Sequence, residues 1–173
     1  MKELINFQEG KFKDAAFPER IMCHDKEEFF NIINKYNGKK PRLYFSIYDC
    51  DEKRNFENTD IKMLALDLDN DKCLQNNIKL WEYCKKNNLK SFFLFSTKGF
   101  WCFIFTNNYQ QLKNKKQALI NATEYIVKVL DFSIGYGKSY DVDKSVMGDL
   151  ARIARLPNGY DVGRKRFCIP VTI

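Results

Sequence analysis

Met63-Leu64-Ala65-Leu66-Asp67-Leu68-Asp69 is an apolar run closed by two carboxylates, and it reads as a strand. Side chains alternate along a strand, which puts Met63, Ala65, Asp67 and Asp69 on one face and Leu64, Leu66 and Leu68 on the other. At roughly 3.3 Å per residue the two carboxylates lie about 6.5–7 Å apart along the backbone. Ionised together they repel, and a hard divalent cation such as Mg²⁺ or Mn²⁺ relieves the repulsion. The competing reading is a polar strand end running into Asn70-Asp71-Lys72, since Asp is a frequent turn residue and D-x-D is a short motif.

Working outward, Arg42–Tyr48 reads as a strand before this one, and Leu74, Ile78, Trp81 and Tyr83 as a helix after it, ending at Asn87-Asn88. Ser91–Phe95 and Phe100–Phe105 look like a hairpin joined through Thr97-Lys98-Gly99. A long helix is expected over roughly Gln110 to Phe132, then a loop from Ser133, a short helix near Leu150–Arg155, and a terminal strand Phe167–Val171. Upstream, Asp25-Lys26-Glu27-Glu28 is a capping-box-like start to a helix with Phe29, Phe30, Ile32 and Ile33 in its stripe. This order predicts an α+β domain, a mixed β-sheet core with flanking helices.

The 173 residues carry 45% apolar and 15% aromatic side chains with four prolines. That is the composition of one globular domain spanning 1–173. A net charge of +7 favours a polyanionic partner. The six cysteines form no C-x-x-C pair, so neither a zinc ribbon nor a disulfide scaffold is expected, and free thiols suit a reducing, intracellular (cytoplasmic) compartment. No run is apolar enough for a signal peptide or a membrane span. The single histidine, His24, reads as a loop residue; serine-triad hydrolases and H-E-x-x-H proteases are awkward with so few.

Two further segments carry chemistry. Ser96-Thr97-Lys98-Gly99 can aim backbone N–H groups, hydroxyls and an ammonium at phosphate, although a turn with a solvated lysine looks the same. Asp141–Pro157 contains Asp143, Arg152 and Arg155; three apart on a helix, the arginines would share a face and could grip phosphate or simply be salt-bridged. Arg164 and Lys165 add basic charge.

The order D-x-D, S-x-K-G-aromatic and D-x-x-V-x-x-D-x-x-R-x-x-R-L-P resembles the catalytic core of the archaeo-eukaryotic primase superfamily, nearest the small subunit of the replicative primase, over about Arg42 to Val171. The resemblance implies a primase-polymerase (RRM-like) core that transfers nucleotidyl groups from NTPs or dNTPs to a 3′-hydroxyl on a DNA or RNA template and primer, by a two-metal mechanism. It implies that Asp67, Asp69 and Asp143 hold Mg²⁺ or Mn²⁺. Ser96, Thr97, Lys98, Trp101, Arg152, Arg155, Arg164 and Lys165 would then serve the nucleotide. A helicase or accessory subunit is a plausible partner; no zinc module or helicase domain is expected within this minimal core. Two departures stand out. Trp101 occupies the place of the family's phosphate-contacting histidine and brings no charge to a phosphate. The basic turn after Pro157 is Asp161-Val162-Gly163-Arg164-Lys165 rather than an H-x-K-T-G-like sequence. The alternatives are a degenerate nucleotide- or nucleic-acid-binding paralogue, a D-x-D glycosyltransferase and a small metal-dependent nuclease.

Overall fold

In the computed structural model the described residues are 4–17 and 19–171, with the side chains of 108–110 excepted. They form two compact units, the first from residues 4–17, 19–60 and 150–169, the second from residues 61–149 and 170–171.

The chain starts in unit 1 with β1 (Lys13–Phe17) and β2 (Glu19–Cys23), an antiparallel pair. Asp25 then caps α1 (Lys26–Tyr36) by accepting from the Glu28 N–H at 2.8 Å, and Phe29 and Ile33 supply its buried face. His24 sits just outside, its Nδ1 2.7 Å from the Glu28 carboxylate, an exposed loop residue. β3 (Tyr44–Ser46) pairs with β1.

Unit 2 opens with β4 (Ile61–Leu68), followed by α2 (Cys73–Lys86), β5 (Ser91–Phe95), β6 (Phe100–Gln110), α3 (Lys115–Leu130), β7 (Ile134–Gly135) and β8 (Val142–Asp143). The chain returns to unit 1 as β9 (Ile153–Arg155), β10 (Tyr160–Asp161) and β11 (Arg166–Phe167), and β12 (Ile169–Val171) ends the described part. Unit 1 holds a sheet ordered β2-β1-β3-β9 and the hairpin β10-β11; unit 2 is built on a sheet ordered β12-β5-β6-β4, with β7 and β8 forming a small parallel pair. This is the expected α+β architecture. Among the described residues no helix is long and apolar enough to cross a membrane.

The register of unit 2 separates two largely buried faces of the sheet, with Asp67 on one of them. Leu66 lies opposite Cys102 and Leu68 opposite Phe100. These residues join Leu80 and Cys84 of α2 and Ile126 and Val127 of α3 in one buried cluster. That face of the sheet is covered by helices. The opposite face carries Met63, Ala65 and Asp67, facing Phe105, Phe103 and Trp101 respectively.

Three expectations change. The segment 150–155 is strand β9 rather than a helix, because it completes the β3 edge: Ser46 pairs with Ile153, and the Ile47 N–H donates to the Arg152 carbonyl at 3.0 Å. The long helix begins at Lys115, where the Asn114 side chain caps it, while the stretch through Gln110 continues β6 against Ile61. The terminal strand divides into β11 and β12, with Cys168 between them bonded back to Asn158 and Gly159.

Candidate active site

Asp67 is the last but one residue of β4 and lies opposite Trp101, while Asp69 falls just past the strand end. The hairpin turn closes onto that end. Ser96 to Gly99 is held by the Ser96 N–H donating to the Gly99 carbonyl (2.9 Å), with the Ser96 hydroxyl donating to the same oxygen (3.2 Å). Thr97 takes a left-handed φ of 73°, costly for a β-branched residue. Lys98 is exposed and places its Nζ 2.5 Å from Asp69 Oδ2.

Gly99 makes this approach possible. A Cβ there would strike the Leu68 carbonyl oxygen and lie 2.7 Å from Asp69 Oδ1 and 3.0 Å from Asp69 Cα. We expect Gly99→Ala to cost about 1–3 kcal/mol, the usual range for overpacking, read as a lowered melting temperature.

Asp143 arrives on β8. Both β8 and the 3-10 turn that follows it, Lys144–Val146, pack beside β4. Its carboxylate accepts from the Ser145 N–H (2.9 Å) and hydroxyl (2.7 Å). Thus β4, its following loop and β8 bring Asp67, Asp69 and Asp143 to neighbouring elements at one end of unit 2. Among the described residues, however, no three His, Cys, Asp or Glu side chains are gathered as a metal-binding group. The donor chemistry fits a hard divalent cation, since all three side chains are carboxylates. Lys98 resting on Asp69 shows that this corner already draws positive charge.

A residue outside the expected set ties the site together. Asp141 Oδ1 accepts from the side-chain amides of Asn70, in the loop after β4, and Asn76, in α2, each at 2.6 Å. Its Oδ2 accepts from the Ser133 N–H and hydroxyl, each at 2.7 Å. The loop after Asp69 and the strand bearing Asp143 are thereby clasped by one carboxylate. Burial pushes its pKa up, but the bonds from Ser133, Asn70 and Asn76 outweigh that and hold it at about 2, against an ordinary 3.8. A lowered folded-state pKa stabilises the protein above about pH 4, and the contribution fades as pH falls from there to about 2. At about 1.4 kcal/mol per pKa unit, and discounted for solvent screening of this half-buried group, Asp141→Asn should cost about 1–2 kcal/mol. Its acid-unfolding curve should be flatter than wild type in that window. The available signal was a second D-x-D, Asp141-Val142-Asp143.

Trp101 is only 5% exposed and stacks on Phe103, with ring centroids 5.8 Å apart and an interplanar angle of 11°. It is therefore a packed member of the site face, immediately across from Asp67.

The basic residues of the tail belong to unit 1. Arg155 is buried on β9, its guanidinium 3.1 Å from Asp161 Oδ2 and over the Tyr44 ring. Arg152 precedes β9, so the shared helix face foreseen for it and Arg155 does not form. Arg164 and Lys165 lie in the turn joining β10 to β11; the Arg164 N–H donates to Asp161, and Lys165 is left-handed at φ 53°.

No family model matches the chain, and no curated protein sequence matches it. Solved structures that share its fold include two polymerase domains. The primase-polymerase (PrimPol) AEP domain of cyanophage S-2L superposes with a TM-score of 0.62 at 10% identity, over 94% of this chain and 80% of that one. The polymerase domain of Mycobacterium tuberculosis ligase D, solved with DNA, gives 0.61 at 9% identity, over 88% of this chain and 58% of that one. The chain has the primase-polymerase fold.

Proposed function

We infer that the protein is a member of the archaeo-eukaryotic primase superfamily and a metal-dependent nucleotidyltransferase, adding nucleotides from NTPs or dNTPs to the 3′-hydroxyl of a templated strand. The observation that carries this reading is the placement of Asp67, Asp69 and Asp143 on β4, its following loop and β8, in a chain with the primase-polymerase fold.

Asp67, Asp69 and Asp143 would hold the divalent cations. Bound there, Mg²⁺ or Mn²⁺ supplies activation of the 3′-hydroxyl and neutralises charge on the pyrophosphate leaving group. The chain itself supplies positioning and charge. Lys98 is exposed and paired with Asp69, so its ammonium stands beside a carboxylate that would hold the cation and would supply positive charge to a triphosphate bound there. The Ser96–Gly99 turn, fixed by its internal bonds, holds that lysine at the end of β4. Arg155 is engaged by Asp161; Arg152, Arg164 and Lys165, which the family resemblance assigns to the nucleotide, lie with it in unit 1.

A second reading, a nucleotide- or nucleic-acid-binding relative without catalysis, is favoured by one observation: the described carboxylates are not gathered in threes. Incorporation of a labelled NTP or dNTP on a primed template, with Mg²⁺ or Mn²⁺, separates the two. Extension of the primer supports nucleotidyl transfer. Triphosphate binding with no extension in either metal overturns it in favour of the binding relative.

A further inference from the structure

The loop from Ser133 to Asp141 presents aromatic and basic side chains that the catalytic reading does not use. Tyr136 is 71% exposed and Tyr140 40% exposed, both large for aromatic residues in a packed domain. Lys138 and Lys144 are exposed, and the Lys144 Nζ lies 5.8 Å from the centre of the Tyr136 ring.

The loop is built to hold these rings rather than to let them drift. Its two ends are pinned together: Ser133 accepts from the backbone N–H groups of Asp141 and Val142 through its carbonyl, each at 3.1 Å, and donates twice to the Asp141 carboxylate. Gly137 turns the chain at φ 84°, directly after Tyr136. Gly135 lets the Tyr140 ring lie against the backbone, since a Cβ there would come within 2.5 Å of its ring carbons. The Asp141 carboxylate points inward to Ser133, Asn70 and Asn76, so the exposed charge within the loop is that of Lys138, with Lys144 over the Tyr136 ring and the neighbouring Asp143 carboxylate accepting from Ser145. The parallel pairing of β7 with β8 places Gly135 opposite Asp143, so Tyr136 follows the residue that faces a candidate metal ligand.

We propose that this loop is a stacking platform for single-stranded nucleic acid, Tyr136 and Tyr140 taking base faces while Lys138 and Lys144 follow the phosphates. An unpaired base offers the ring face that such a surface needs, and stacking with flanking cations binds without regard to sequence. A duplex hides its base faces, so the platform selects the unpaired strand. The proposal rests on the nucleotidyltransferase reading for its purpose, which is to hold the strand beside the carboxylates. Its physical basis is independent of catalysis.

The test is fluorescence anisotropy of a labelled oligothymidylate with the full chain, in EDTA so that no metal chemistry contributes. Tyr136→Ala should weaken binding about tenfold, the usual worth of one stacked base, and Tyr136→Trp should retain it. Lys138→Ala should lower the slope of log affinity against log salt by about 1. Circular dichroism melting of each variant, expected to match wild type because Tyr136 is exposed, separates loss of contact from loss of fold. Failure of the wild type to bind the oligonucleotide, or equal binding by wild type and Tyr136→Ala, would overturn the platform. Primer extension by the wild type reports on the other reading: no extension together with a Tyr136-dependent affinity defeats catalysis and leaves the platform standing. Extension with Tyr136-independent binding does the reverse.

Discussion

Asp67→Ala is expected to abolish primer extension, lowering the rate by about 10³-fold, while the protein stays folded. The size follows from the role: a lost metal ligand removes several kcal/mol of stabilisation from the charge that develops during phosphoryl transfer, and about 4 kcal/mol is a factor of about 10³. The fold should tolerate the change. Asp67 is partly exposed near the end of β4, and the core beneath it is made by Leu66 and Leu68 on the other face. Asp67→Asn is the sharper variant, because it preserves shape while removing the negative charge; it should lose nearly as much. A loss below tenfold in both would remove Asp67 from the metal site.

The largest effect on stability is expected in unit 1, at Asp161. Its side chain is fully buried, with the Arg155 guanidinium at 3.1 Å, the Arg42 Nε at 3.4 Å and the Arg164 N–H at 3.2 Å. Arg155 is itself nearly buried. Asp161→Ala therefore strands a guanidinium in the interior, which costs about 3–5 kcal/mol. At about 2–4 °C per kcal/mol for a chain of this size, the melting temperature should fall by about 6–20 °C. Exposed Arg42 can turn to water, so Arg42→Ala should cost far less. The double variant Asp161→Leu with Arg155→Met should recover much of the loss, because an apolar pair leaves no charge unmatched. The pH dependence has a definite sign. Burial raises the Asp161 pKa, but Arg155, the Arg164 N–H and Arg42 together hold it below its ordinary 3.8. Its contribution is thus complete above about pH 4 and is lost as pH falls further.

Much of unit 2 was legible in the sequence because its strands are unusually plain. Alternation in Met63–Leu68 put Leu66 and Leu68 on the face that packs under the helices and Asp67 on the other, and the residues at 96–99 marked the turn. Asp69 was less legible: the strand ends at Leu68, so its side chain answers to the hairpin turn and Lys98 rather than to the pleat. The strands β1 and β2 gave no clear signal, since their buried members include Lys13 and Asp14. Lys13 is neutralised by Asp49 at 2.6 Å, a partner 36 residues along the chain that no local pattern announces. The spacing of Arg152 and Arg155 suggested a helix, but that segment is made a strand by its pairing with β3 along one edge. Asp141 went unread for a similar reason. Its donors, Asn70, Asn76 and Ser133, are brought to it only by the folded arrangement of β4, α2 and β8.

Those donors matter because they fix where Asp69 and Asp143 can be, and the functional reading turns on that placement. The most direct test is Mn²⁺ binding followed by electron paramagnetic resonance, with a triphosphate present, in the wild type and in Asp67→Ala and Asp143→Ala. The account predicts that the wild type binds Mn²⁺ and that each substitution weakens binding at least tenfold. Equal Mn²⁺ binding by all three proteins, or none by the wild type, would contradict it.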